Sequence, residues 1–124
     1  MHIDDKLLQN PTPGTRFVKF CGDTLTLTLA LPHHQSGAAW VRTNLGQSKI
    51  SRKEIIGEVE HDETRLGRDW FDIPMRRVDE NRFQVRLPLI EVGHFEAKCF
   101  FLKAGDTNPI WPQGPNIAVN VDPA

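Results

Sequence analysis

Several groups of side chains in this sequence could do chemistry, and they point to different reactions. Paired carboxylates come first: Glu91 with Glu96, and Asp62 with Glu63. Glycoside hydrolysis needs two carboxyl groups roughly 5–9.5 Å apart across a sugar cleft, one of them raised in pKa by an apolar setting. Glu96 falls on an open sheet face, Glu91 in a turn, and Asp62 and Glu63 in a charged loop, so all four read as solvated surface groups. His33-His34 is a turn dipeptide, and His61-Asp62-Glu63 lacks the helical spacing of a zinc hydrolase. Neither supplies three convergent metal ligands. Cys99 has no evident histidine partner and reads as a small buried hydrophobe. There is no glycine-rich phosphate loop. The sequence therefore predicts no catalytic residue, no metal and no cofactor, and this segment is not expected to be an enzyme by itself.

A different grouping suits recognition. Trp70, Lys98, Trp111 and Asn116 combine flat aromatic planes with an ammonium and a carboxamide. A sugar ring offers an apolar C–H face to an aromatic plane, while its hydroxyl rim needs donors and acceptors. Whether these side chains reach one surface depends on the elements that carry them.

Strand alternation assigns faces. Thr24-Leu25-Thr26-Leu27-Thr28-Leu29-Ala30-Leu31 alternates strictly, with all four leucines on one side. In the strand from 94 to 103, Phe95, Ala97, Cys99 and Phe101 share the core parity, which turns Glu96, Lys98 and Phe100 outward. Ile117, Val119 and Val121 point in, and Asn116 and Asn120 out. Phe71 and Ile73 point in, leaving Trp70 out. Trp111 falls in a Gly/Pro-rich loop from 104 to 114.

Further strands are expected at 15–20, with Phe17 and Phe20 available for burial, at 38–45, at 70–78 with Pro74 marking an edge or bulge, and at 83–89. Residues 1–13 read as a polar lead-in ending in Pro11-Thr12-Pro13-Gly14, and 46–68 as a charged, strand-bearing surface excursion. No convincing amphipathic helix is present. The predicted fold is all-β, an immunoglobulin-like β-sandwich of about seven antiparallel strands spanning 14–124, with a small closed barrel as the alternative.

Composition sets outer limits. The 124 residues suffice for one domain, and 39% hydrophobic with 25% charged residues is ordinary for a globular fold. Fifteen basic against sixteen acidic residues create no field that favours nucleic acid or an anionic membrane. No secretory signal or membrane span is legible, so a cytoplasmic setting with reduced Cys21 and Cys99 is expected, although a bridge between them would suit an extracellular immunoglobulin domain.

Four stretches in order then carry a resemblance. They are Asp69-Trp70-Phe71-Asp72-Ile73-Pro74-Met75, Phe83-Gln84-Val85-Arg86-Leu87, Gly93-His94-Phe95-Glu96-Ala97-Lys98-Cys99-Phe100-Phe101, and Trp111 with Asn116-Ile117-Ala118-Val119. Together they resemble the glycogen-binding modules of the AMP-activated kinase β subunit and the early-set domains that precede catalytic barrels in branching and debranching enzymes. Trp40-Val41-Arg42-Thr43-Asn44-Leu45-Gly46 and the closing Val119-Asn120-Val121-Asp122-Pro123-Ala124 are similar to the N-terminal domain of bacterial amylo-α-1,6-glucosidase-type glycogen debranching enzymes.

The resemblance implies a non-catalytic accessory domain of a larger glycoside hydrolase, packed on a downstream catalytic barrel and binding an α-glucan such as glycogen or a maltooligosaccharide. It implies Trp70 and Trp111 as stacking platforms, Lys98 as a hydroxyl donor and Asn116 as a polar contact. Pro109, Pro112 and Pro115 crowd the loop before Asn116, and no counterpart of the apolar residue that cups the glucan in the kinase modules is evident. The alternative is a structural or protein-interaction sandwich without sugar binding.

Overall fold

The computed structural model describes residues 2–45, 64–65 and 70–124. Twelve strands are described: β1 His2–Ile3, β2 Leu8–Asn10, β3 Arg16–Phe20, β4 Thr24–Ala30, β5 Gly37–Thr43, β6 Thr64–Arg65, β7 Phe71–Pro74, β8 Arg76–Asp79, β9 Arg82–Pro88, β10 Gly93–Lys103, β11 Ile110–Trp111 and β12 Ile117–Asp122. They form two sheets and are joined by no helix among the described residues.

The smaller sheet runs β2-β4-β9-β8. Its centre follows from the threonine–leucine alternation of β4, because Leu25, Leu27 and Leu29 are buried while Thr24 and Thr26 are exposed. Opposite them on β9 stand Leu87, Val85 and Phe83. Each such side chain contributes on the order of 1.5–3 kcal/mol when removed from water.

The larger sheet runs β1-β11-β10-β5-β7-β6, with β12 between β10 and β3. It supplies the facing layer, in which Val41, Phe71, Ile73, Phe95, Ala97, Cys99, Phe101, Ile117, Val119 and Val121 are all buried. The rings of Phe83 and Phe101 meet between the sheets with centroids 5.9 Å apart. This is a sandwich-like all-β core, and the inward parities read from β4, β7, β10 and β12 hold throughout.

Several details differ from the expected seven antiparallel strands. The segment 70–78 splits at Pro74 into β7 and β8, which lie in different sheets. Proline brings no N–H to a ladder, so it suits a point where pairing stops. The chain crosses at Met75, whose N–H donates to Ala39 O at 2.9 Å. Two pairings are parallel, β3 with β12 and β1 with β11, so the larger sheet is mixed.

The lead-in contains β1 and β2, which pair with different sheets. Of the excursion expected at 46–68, Thr64 and Arg65 pair with β7 and the rest lies outside the described residues, together with His61, Asp62 and Glu63. Cys21 and Cys99 are free thiols. Among the described residues no helix is long and apolar enough to cross a membrane.

Candidate functional site

β10 is the spine of the outer face of the larger sheet. Its register with β5 sets Lys98 beside Arg42 and Phe100 beside Trp40, and the register of β5 with β7 sets Arg42 beside Asp72. On the other side of β10, Phe101 pairs with Ile110, which brings the next residue, Trp111, beside Phe100 and within reach of Arg42. The loop expected around Trp111 therefore contains a short strand, and this strand is what carries the indole onto the face.

A compact cluster results. Arg42 makes a two-pronged ion pair with Asp72, Nε to Oδ1 at 2.9 Å and Nη2 to Oδ2 at 3.1 Å. Its guanidinium also lies 5.3 Å from the Phe100 ring and 5.1 Å from the Trp111 ring. Those two rings meet at 4.7 Å with their planes 42° apart. Contacts of this type stabilise by about 0.5–1.5 kcal/mol for the ring pair and 0.5–2 kcal/mol for each cation over a ring.

Lys98 packs at the same place. Its ammonium lies 5.8 Å from the Trp111 ring and donates to Gly114 O. Burial pushes its pKa down from 10.5.

Asn116 belongs to the adjoining polar strip. Its Nδ2 donates to Glu96 Oε1 at 3.3 Å, and His94 Nδ1 sits 2.8 Å from Asn120 Oδ1. The other Glu96 carboxylate oxygen faces His94 Nε2 at 3.9 Å. The backbone of Glu96 is held from both sides, its N–H by Asn44 Oδ1 at 2.8 Å and its C=O by the Thr43 hydroxyl at 2.7 Å.

Of the four residues predicted from sequence, three gather around β10: Lys98, Trp111 and Asn116. Two correct the expectation of open outward groups, because Lys98 is 7% and Trp111 8% exposed. The cause is mutual cover. Arg42, Phe100 and Lys98 pack on the indole, and the Gly114 carbonyl holds the ammonium.

Trp70 is half-buried and directly precedes β7, sharing the outward parity of Asp72. No hydrogen bond or ring contact joins it to Lys98, Trp111 or Asn116 among the described residues. Arg42, Asp72 and Phe100 escaped the sequence reading. Outward parity marked Phe100, but the pairing of Arg42 with Asp72 needs strand register.

The margin of Trp111 borders a cavity of about 540 Å³ lined by His2, Asp106, Asn108, Pro109, Ile110 and Trp111. Trp111, Ile110 and Pro109 border it together with Asp106, Asn108 and His2.

No protein family matches the chain, and no curated protein matches it. Among solved structures it is similar to a chain from one described as "Structural basis of T cell specificity and activation by the bacterial superantigen toxic shock syndrome toxin-1". That match has 8% identity and a TM-score of 0.46, over 93% of this chain and 97% of that one. A likeness of that size assigns neither a family nor a function.

Proposed function

We propose that this chain is a non-catalytic accessory domain of an α-glucan-acting glycoside hydrolase of the glycogen-debranching type, with an immunoglobulin-like sandwich that packs on a catalytic domain and contacts the glucan at the cavity beside Trp111. The observation that carries the reading is convergence. Four separate stretches behind the sequence resemblance contribute Arg42, Asp72, Phe100 with Lys98, and Trp111 to one contact cluster. The strand order β2-β4-β9-β8 against β3-β12-β10-β5-β7 supports the immunoglobulin-like topology.

Cover on the indole moves the expected sugar contact. A sugar ring lying flat on the indole would compete with Arg42 and Lys98, which already pack on it. The cavity beside Trp111 offers Asp106, Asn108 and His2 to the hydroxyls of a glucose unit. Such a site is weak by itself and gains strength from tethering to a catalytic domain.

Titration of the chain with maltoheptaose, followed by tryptophan fluorescence, tests this reading. A saturable change at millimolar sugar is expected, and Asp106→Ala/Asn108→Ala should abolish it. Both side chains are exposed, so the variant retains the fold. An unchanged spectrum at millimolar sugar removes the glucan contact. The second reading, a purely structural or protein-interaction domain, would then stand, favoured by the internal engagement of Lys98 and Trp111.

A further inference from the structure

β3 is an unusual edge. Among the described residues it pairs with β12 alone. Ala118 N–H donates to Thr15 O and Cys21 N–H to Asp122 O, both at 2.9 Å. In a parallel ladder these two bonds direct the backbone groups of Thr15, Phe17, Lys19 and Cys21 toward β12. The N–H and C=O of Arg16 and Val18 therefore point away from the sheet. At Phe20 the edge closes, since its N–H donates to Asp23 Oδ2 and its C=O accepts from Asp23 N–H.

The other described edges are blunted. β1 and β6 have two residues each and β2 has three. β8 shifts register between Arg77 and Asp79. Short length and bulges are ordinary defences against strand pairing. β3 has five regularly paired residues, with Val18 53% and Phe20 51% exposed on its outer face.

The side chains of β3 are self-complementary about Val18. In an antiparallel pairing centred on that residue, Arg16 of each copy stands opposite Phe20 of the other. Lys19 stands opposite Phe17, and Val18 opposite Val18. On the exposed face each Arg16 then meets a Phe20 ring, with the aliphatic residue on the two-fold axis, while Phe17 packs on the core of its own copy.

We propose that β3 is a homodimerisation edge, on which a second copy of this chain pairs antiparallel through Val18 and continues the larger sheet across the two-fold axis. The two Val18 residues exchange both backbone hydrogen bonds, and at either end the exposed Phe20 side chain lies against Arg16 while the Phe20 backbone stays bonded to Asp23. The paired surface is small, so the dimer is weak and exchanges rapidly. The proposal is independent of any sugar contact.

Sedimentation velocity of the chain from about 10 µM to about 1 mM tests it, an interval that brackets weak association. The mean mass should rise toward that of a dimer, and Val18→Lys should shift the transition at least tenfold in concentration. Val78→Lys, on the edge strand β8, should not shift it. Cross-linking tests the register. A hydrogen-bonded antiparallel pair has Cα atoms about 5.5 Å apart, within disulfide reach. Val18→Cys in a Cys21→Ser background should therefore oxidise to a covalent dimer, and Val92→Cys in that background should not.

A chain that stays monomeric at the highest concentration and forms no Val18→Cys dimer overturns the proposal, as it would if the edge serves a different partner. Dimers that persist in Val18→Lys overturn it equally.

Discussion

Replacing Gln9 with leucine should destabilise the fold by about 2 kcal/mol, and the reason is a gap in the larger sheet. One side of β10 pairs with β12 as far as Ala97 and with β11 at Phe101. Between these two neighbours the N–H of Cys99 has no strand to meet. Gln9 reaches it from β2 of the opposite sheet, accepting that N–H on Oε1 at 2.8 Å and donating from Nε2 to Pro11 O at 2.9 Å.

The glutamine is 6% exposed and Cys99 fully buried, so water cannot easily replace the lost acceptor. A buried donor left unsatisfied costs about 1–3 kcal/mol. Loss of the half-buried Pro11 bond adds a fraction of that, and the apolar leucine returns part of it. For a domain of this length 1 kcal/mol moves Tm by about 4 °C, so a fall of about 8 °C is expected. Calorimetry reads the fall, and hydrogen exchange should show the Cys99 amide losing protection. Leu8→Ala, on the exposed side of the same strand, should stay within about 0.5 kcal/mol of the parent. A Gln9→Leu variant as stable as the parent would refute this account of how the gap is closed.

Two other perturbations separate backbone geometry from charge. Gly37→Ala should destabilise by about 3 kcal/mol, seen as a lower urea midpoint at unchanged slope. Gly37 has φ +149°, and a Cβ there would sit 2.3 Å from Leu102 O and 2.8 Å from the Phe101 ring. Gly22→Ala, with φ +98° but nothing within 4 Å of the added carbon, should cost only about 1 kcal/mol.

Lys98 should leave a signature in alkali. Burial depresses its pKa, so just below 10.5 the unfolded chain holds more protons than the folded one, and stability rises with pH through that window. Lys98→Met should lack this rise relative to the parent in urea titrations from neutral pH to 10.5. A parallel rise in both proteins would show that the ammonium is not desolvated.

The legible part of the fold was the part governed by one strand at a time. β4 and β12 announce their inward residues by alternation, and the outward parity of Lys98, Phe100 and Asn116 could be read in the same way. Parity gives direction and says nothing about cover. Lys98 and Trp111 are buried because Arg42 and Phe100 arrive beside them through register, a property of strand pairs. Phe20 shows the converse, an aromatic residue available for burial that β3 turns outward. Two-residue strands such as β1 and β11 carry too few side chains to show a period. Pro74 was legible as an interruption, but its role as the crossing between sheets depends on where Met75 finds its acceptor.

The covered face also changes what a candidate binding residue can be expected to do. Where an indole lies open, stacking and folding are separate roles, and a substitution can remove one without the other. Trp111 combines them: it packs with Phe100, Arg42 and Lys98 and also borders the cavity. Arg42 couples that cluster to β7 through Asp72, so a change at any of these residues disturbs β10, β5 and β7 together. Loss of ligand binding on truncating Trp111 would therefore not distinguish recognition from packing. Asp106 and Asn108, exposed on the cavity wall, can change without opening the cluster, and an effect on binding there can be attributed to contact with the ligand.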